Sequence, residues 1–493
     1  MSVRFRSCLG VTVIGAVATS LWLVGPAAAS AAVVERSGRS ASETSRVTVA
    51  AAKNVRTAIA GPGAPTAGDS LFPDAGNSGY DVLHYRVGLT YHRSRGTITA
   101  TTTIKAKAVK RLTSYTLDLE GLTVGAVTVN GHRARWSRSG HKLKVTPSRS
   151  VRGTFTTTIA YGGKPKTHID PDGALDGWIP TADGATVLSE PVGAMTWFPN
   201  NNTPRDKATF DVAVNVPKDL EVAGSGDLAS RKRHGSTTTW HWKQRRPMAS
   251  YLAMISIAQY DVHRSTMRTV AGKKLPIWTF VDPSLGPLTA QRKLLPEIIR
   301  FEERRFGPYP QTSVGIVVKD TGAGYSLETQ NRPVFDEVPD AGLMVHELAH
   351  QWFGDSLTAK DWGDIWLHEG FATYAESLWS AAHGGPSTAA QFSATMADNP
   401  ASSTLWSPAP AALSDPADLF SDPVYTRGGL ALEALRQKVG TRDFGVILKR
   451  WAAEHRGGGV RTSQFIALSE RVSNRNLGAF FHAWLYVPER PAG

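Results

Sequence analysis

The chain has 493 residues, 41% of them hydrophobic and 20% charged, a composition that excludes a mainly disordered protein and a length that exceeds what one core usually organises. Lysine and arginine number 55 against 42 acidic residues, a formal net charge of +13, which suits nucleic acid, an anionic surface or simple solubility and selects none of them. The only cysteine is Cys8, inside a segment read below as a cleaved signal, so the mature chain is expected to use neither a disulfide nor a thiol nucleophile.

The first residues read as an export signal. Arg4 and Arg6 form a basic start, an apolar run follows from about Leu9 to Val24, and the small-residue stretch GPAAASAAV offers A-x-A cleavage positions. The run is short for a membrane span and ends in cleavable residues. Residues 1–31 are therefore assigned to a signal peptide, and the mature chain is expected to be secreted, with no stable membrane anchor. Residues 32–69, rich in Ala, Ser, Thr, Gly and Arg without apolar periodicity, read as a flexible low-complexity spacer.

From residue 70 the texture is that of strands. YDVLHYRVGLTY puts Tyr85, Val87, Leu89 and Tyr91 on one face, and TITATTTIKAKA is rich in Thr and β-branched residues. AVTVNGHRARW centres Asn130-Gly131 between two short strands, a hairpin signal. The densest basic stretch, Arg231 to Arg246, interleaves aromatics with cations as single-strand binders do. Trp240 and Trp242 alternate there with His241 and Lys243, however, which is the pattern of a half-buried strand, and no nucleic acid partner is expected. Residues 70–267 are predicted to form an N-terminal all-β sandwich domain.

Residues 268–493 mix strands and helices. LPIWTFV and SVGIVV read as strands, residues 288–306 as a helix containing Pro296, and helical segments dominate from Ala341 onward. The stretch MVHELAHQWF opens that helical half. His346 and His350, four apart, lie on one helix face and can aim both imidazoles at one ion. Glu347 stands beside the first of them, able to take a proton from a water next to the ion without binding the ion itself. A catalytic zinc wants three protein ligands, and Glu369, 19 residues after His350 in IWLHEGFATYAE, supplies the third from a second helix. Glu376, seven residues further on the same face, is placed to accept a hydrogen bond from a ligating imidazole. His368 points about 100° away from Glu369 on a helix and reads as a rim residue.

This spacing, with WFGD and HEGFATYAE around it, resembles the gluzincin metalloaminopeptidases, the group that includes aminopeptidase N and leukotriene hydrolase. The resemblance runs from about residue 70 to 490 and includes GNSGYDVLHY and NNTPRDKATFDVAVNVP in the β-rich part. It implies a multidomain α+β protein, a β-sandwich followed by a thermolysin-like, mostly helical catalytic domain with one zinc per chain. It also implies a secreted aminopeptidase acting on peptides with a free N-terminus. The family's exopeptidase box falls on Tyr325-Ser326-Leu327-Glu328-Thr329, where only the Glu is kept, and its second amine-binding acid on Glu190 in VLSEPVG. The family's transition-state tyrosine falls on Tyr425 in YTRGGLALEAL, where Arg427 replaces a lysine. On this reading Glu347 is the general base, Tyr425 donates to the developing oxyanion, and Glu190 and Glu328 hold the substrate amine. The alternatives are a zinc endopeptidase or epoxide hydrolase on the same site, and a non-catalytic secreted binding protein. Blocked against free N-termini separate the first two from the aminopeptidase, and a metal assay separates the third.

Overall fold

Tyr80–His92, with burial alternating along its length, runs through the middle of an eight-stranded sheet. The structure, a computed structural model, describes residues 60–492, so the signal peptide and most of the spacer lie outside the described residues. Tyr85, Val87, Leu89 and Tyr91 point into the core as their period of two requires. The strand pairs antiparallel with Thr97–Leu112 on one side and parallel with Lys207–Pro217 on the other. Asn130 and Gly131 join Thr123–Val129 to His132–Arg133 with φ of 52° and 80°, the left-handed turn that this dipeptide tolerates. The basic stretch forms the paired strands Asp227–His234 and Thr237–Ala249 at one edge of the sheet. Trp240 and Trp242 are fully buried there, and each large side chain so buried contributes roughly 2–3 kcal/mol of transfer free energy. A five-stranded sheet packs into the same apolar core and includes Leu175–Pro180 and Ala185–Leu188, the strand that delivers Glu190.

The second half holds a four-stranded sheet, Asp261–Arg268, Lys274–Val281, Val314–Val318 and Val334–Phe335. The helices among the described residues are α1 (Thr289–Phe306), α2 (Ala341–Ala349), α3 (Trp366–Ala382), α4 (Thr388–Asp398), α5 (Gly428–Val439), α6 (Thr441–Glu454), α7 (Thr462–Ser473) and α8 (Gly478–Leu485). α1 continues through Pro296. None of the described helices is long and apolar enough to cross a membrane.

Two expected boundaries move. The strand Asp261–Arg268 pairs along its whole length with Lys274–Val281 and so belongs to the sheet of the second half, which puts the junction before residue 261 rather than at 267/268. The spacer also ends earlier than residue 69. Gly61 N–H donates to the Arg111 carbonyl (3.1 Å), Gly63 N–H to that of Ser114 (2.8 Å), and the Asp69 carboxylate accepts from the main chain of Leu71, Phe72 and Trp362. These contacts are made by main chain and by one acid, so no apolar periodicity announces them.

The β-rich half also holds the loops of the helical half. Lys207 is half-buried and donates all three of its ammonium hydrogens, to the carbonyls of Asp355 (2.7 Å) and Ser356 (2.8 Å) and the hydroxyl of Thr358 (2.8 Å). Arg205 donates to the carbonyls of Lys360, Ala67 and Gly68 and pairs with Asp361 at 2.7 Å. Both cations grip the chain between α2 and α3, the two helices that build the site.

Candidate metal centre

α2 starts at Asp340, whose carboxylate accepts from the N–H of Leu343 (2.9 Å), and it is anchored by Met344, Val345, Leu348 and Ala349, all buried. His350 caps the helix but keeps right-handed helical angles, φ −56° and ψ −25°, so the one-turn stacking of His346 and His350 survives the helix end. Their ring centroids are 4.9 Å apart. Glu369 enters from the first turn of α3, where the helix dipole favours a carboxylate.

Nε2 of His346 lies 3.3 Å, and Nε2 of His350 3.4 Å, from the same oxygen of Glu369. Adjacent ligands around a tetrahedral zinc at ordinary bond lengths are roughly 3.3 Å apart. The outer nitrogens are engaged elsewhere: His346 Nδ1 with Glu376 Oε1 (2.7 Å) and His350 Nδ1 with the Phe353 carbonyl (3.0 Å). These acceptors assign the proton of each neutral ring to Nδ1 and leave both Nε2 lone pairs facing the carboxylate. Such a donor set holds together only around positive charge, and it fits a zinc ion. Protons are the substitute when no ion is bound. Burial opposes charge on His350, yet Glu369 and Glu328 raise its pKa to about 9, and His346 is likewise held well above its usual value by Glu369 and Glu376 against burial. Burial also opposes the charge on Glu369, but both imidazoles hold its carboxyl far below the usual range.

Glu347 is buried beside this cluster, its Oε2 without a hydrogen-bond partner among the described residues. Burial pushes its carboxyl up to about 8, with the imidazoles of His346 and His350 pulling the other way. The Tyr425 ring lies 5.9 Å from that of His346, nearly parallel to it at 23°. Glu376 stands behind His346, as its place on α3 predicts.

Glu190 and Glu328 come from opposite halves of the molecule and meet. Carboxylate oxygens of the two lie within 4.8 Å of each other, and Glu328 Oε1 is 4.0 Å from His350 Nδ1. Both are buried, and burial raises the Glu328 pKa most, opposed by His350. Gln351, the residue after the second histidine, ties down the segment that carries Glu328. Its amide donates to the Glu328 carbonyl (3.2 Å) and accepts from Asn331 N–H (2.8 Å). Nothing in the spacing marks Gln351 for that task.

His368 is not a rim residue. It is fully buried, and its Nε2 accepts from the N–H of Ala359 (2.7 Å), because the strand Thr358–Ala359 covers the face of α3 adjacent to Glu369. Burial lowers its pKa to about 3, so the ring is neutral. A ring nitrogen of His368 lies within 4.8 Å of carboxylate oxygens of Glu190 and Glu328. With Nε2 engaged as an acceptor, His368 has a donor to offer rather than a lone pair, so these three residues lack the donor set of a second metal site. Sequence reasoning also missed a backbone contact. A Cβ on Gly370 would lie 2.8 Å from main-chain atoms of Gly428, and one on Gly428 would lie 3.0 Å from Gly370 Cα. Two glycines thus let the start of α5, and with it Tyr425, touch α3 one residue after Glu369.

A β-rich domain set against a mostly helical one, with two imidazoles and a carboxylate converging between neighbouring helices, is the architecture of the gluzincin metallopeptidases. The Peptidase M1 N-terminal domain model matches residues 81–252 and the Peptidase family M1 domain model residues 327–484. The chain belongs to peptidase family M1. The M1 zinc metallopeptidase from Deinococcus radiodurans is 30% identical with a TM-score of 0.78, covering 87% of this chain and 100% of that one. A mutant of that protein bound to a Tyr-Ser-Ala substrate superposes with a TM-score of 0.78 at 30% identity, over 87% of this chain and 99% of that one. Aminopeptidase N of Streptomyces lividans is 26% identical over 439 residues, 82% of this chain and 50% of its own length. Aminopeptidase N of Lactococcus lactis subsp. lactis is 25% identical over 445 residues, 83% of this chain and 51% of its own. The chain thus spans about half the length of these two curated relatives.

Proposed function

We propose that the protein is a zinc-dependent aminopeptidase that removes single residues from peptides with a free N-terminus, with one zinc per chain held by His346, His350 and Glu369. The observation that carries this reading is the meeting of Glu190 and Glu328 beside the three converging donors. The ion, when bound, supplies Lewis acidity toward a water and a carbonyl oxygen. Glu347 takes the proton of the attacking water and returns it to the leaving amine; its buried, unpartnered oxygen suits that shuttle. Tyr425 leans over His346 and offers its hydroxyl to the carbonyl oxygen as charge develops there. An entering ammonium is held by both carboxylates, which fixes the first residue of the substrate against the site and leaves no room for chain before it. The same reading puts the mature chain outside the cell, supported by the basic, apolar and small-residue succession of residues 1–31.

A panel of aminoacyl-anilides, assayed with and without a zinc chelator, tests the reaction. Hydrolysis of free aminoacyl-anilides, lost on chelation and restored by zinc, is expected, with N-acetylated substrates inert. Equal rates on blocked and free peptides would point instead to an endopeptidase.

A further inference from the structure

Tyr425 sits in five residues of π-helix, Pro423–Arg427, that run directly into α5. Such a wide turn is rare, is seen mostly at functional sites, and persists only where its surroundings hold it. One side is held by the contact between Gly428 and Gly370. The other is held by Arg427. Its side chain is fully buried, and every hydrogen bond it makes goes to a main-chain carbonyl. Nε donates to Trp484 (2.9 Å), Nη2 to Ala483 (3.0 Å) and to Val487 (2.5 Å), and Nη1 to Trp406. No carboxylate forms a salt bridge with it among the described residues. Two of the four carbonyls, those of Ala483 and Trp484, lie in the last turn of α8, the negative end of that helix. Burial lowers the guanidinium pKa to about 10, which leaves it charged at neutral pH.

We propose that Arg427 is the positioning residue of Tyr425: by clamping the end of α8 and the Trp406 turn to the π segment, it fixes where the phenol stands over His346. The inference rests on the reading of Tyr425 as the oxyanion donor. The planar fork reaches four carbonyls on two stretches of chain distant in sequence, and an ammonium on a single stem cannot match that spread. Arg427 touches no part of the site itself, so its effect on turnover passes through Tyr425.

The test is a double-mutant cycle on the zinc-loaded full chain with one aminoacyl-anilide. Arg427→Lys is expected to lower kcat about tenfold with KM within about twofold, and to change kcat less than about twofold when Tyr425 is already Phe. Arg427→Met, which removes the donor that four carbonyls share, is expected to go further; where it does not fold, Arg427→Lys carries the test alone. Thermal unfolding midpoints of all variants are read alongside. A kcat unchanged in Arg427→Lys, or lowered by the same factor with and without the Tyr425 hydroxyl, overturns the proposal and makes Arg427 a structural cap only. Failure of the underlying reading looks different: Tyr425→Phe alone then turns over like the parent protein.

Discussion

Nδ1 of His346 stands 2.7 Å from Oε1 of Glu376, on the side of the ring turned away from Glu369. A carboxylate in that place fixes the ring's orientation and tautomer and raises the basicity of Nε2. Glu376→Ala is therefore expected to lower zinc affinity about 10–100-fold while leaving the fold intact. Competition against a chromogenic chelator measures this, and an affinity within twofold of the parent would remove Glu376 from the metal's support.

Tyr425→Phe keeps the ring that lies against His346 and removes only its hydroxyl. Zinc content and KM are expected to stay, and kcat to fall on the order of 10²–10³-fold. Steady-state kinetics on one aminoacyl-anilide decide the matter. A kcat within about threefold of the parent corresponds to under roughly 0.7 kcal/mol of transition-state stabilisation and would assign Tyr425 to packing.

Glu328→Ala is expected to impair free-amine substrates by at least about tenfold in kcat/KM, since a carboxylate facing an ammonium in a buried site contributes more than an exposed pair does. The proposed zinc ligands do not include Glu328, so metal content should be unchanged. An undiminished rate on free-amine substrates would leave Glu328 as a buried structural acid.

One ion pair gives the β-rich half a pH signature. His168 and Glu120 lie 2.9 Å apart, and each is the main cause of the other's shift: Glu120 raises the His168 pKa and His168 lowers that of Glu120. The histidine's contribution is complete below its unfolded value of 6.5 and fades as pH rises through the higher folded value. The glutamate's is complete above 4.5 and fades as pH falls through the lower folded value. The pair thus stabilises most between pH 4.5 and 6.5. Both side chains are partly exposed, which limits the gain to about 0.5–1 kcal/mol. His168→Gln should show that loss in urea unfolding at about pH 5.5 and little of it at about pH 9. An equal loss at both would mean that the charge is not what matters.

Local periodicity carried much of this molecule into view. Tyr85, Val87, Leu89 and Tyr91 alternate because a strand has two faces, and Glu369 and Glu376 share a face because seven residues make two helical turns. His346 and His350 needed only a helix. What escaped was settled by neighbours distant in sequence. The strand Asp261–Arg268 has the same texture as the strands before it, and only its partner shows which sheet it joins. His368 is buried because a two-residue strand lies across it, and Gln351 serves Glu328 through a main-chain carbonyl that carries no sequence signal. The glycines at 370 and 428 are visible as letters, but their mutual contact exists only once α3 and α5 are packed.

The two carboxyls proposed to hold the substrate amine come from different halves of the chain, and Lys207 and Arg205 of the first half grip the loop that joins the two helices of the metal cluster in the second. On the proposed reading the site works as a ruler whose ends belong to different parts. One end is the carboxyl pair, the other the converging imidazoles, and the interval between them is meant to take one α-amino acid, from its amine to its first carbonyl, about 2.5 Å. Such a ruler measures backbone atoms and not side chains. A peptide beginning with a β-amino acid, one carbon longer, would seat its amine and carry its first carbonyl past the mark, binding without being cut. A shift of the halves by a single bond length would rescale the measure for every substrate at once.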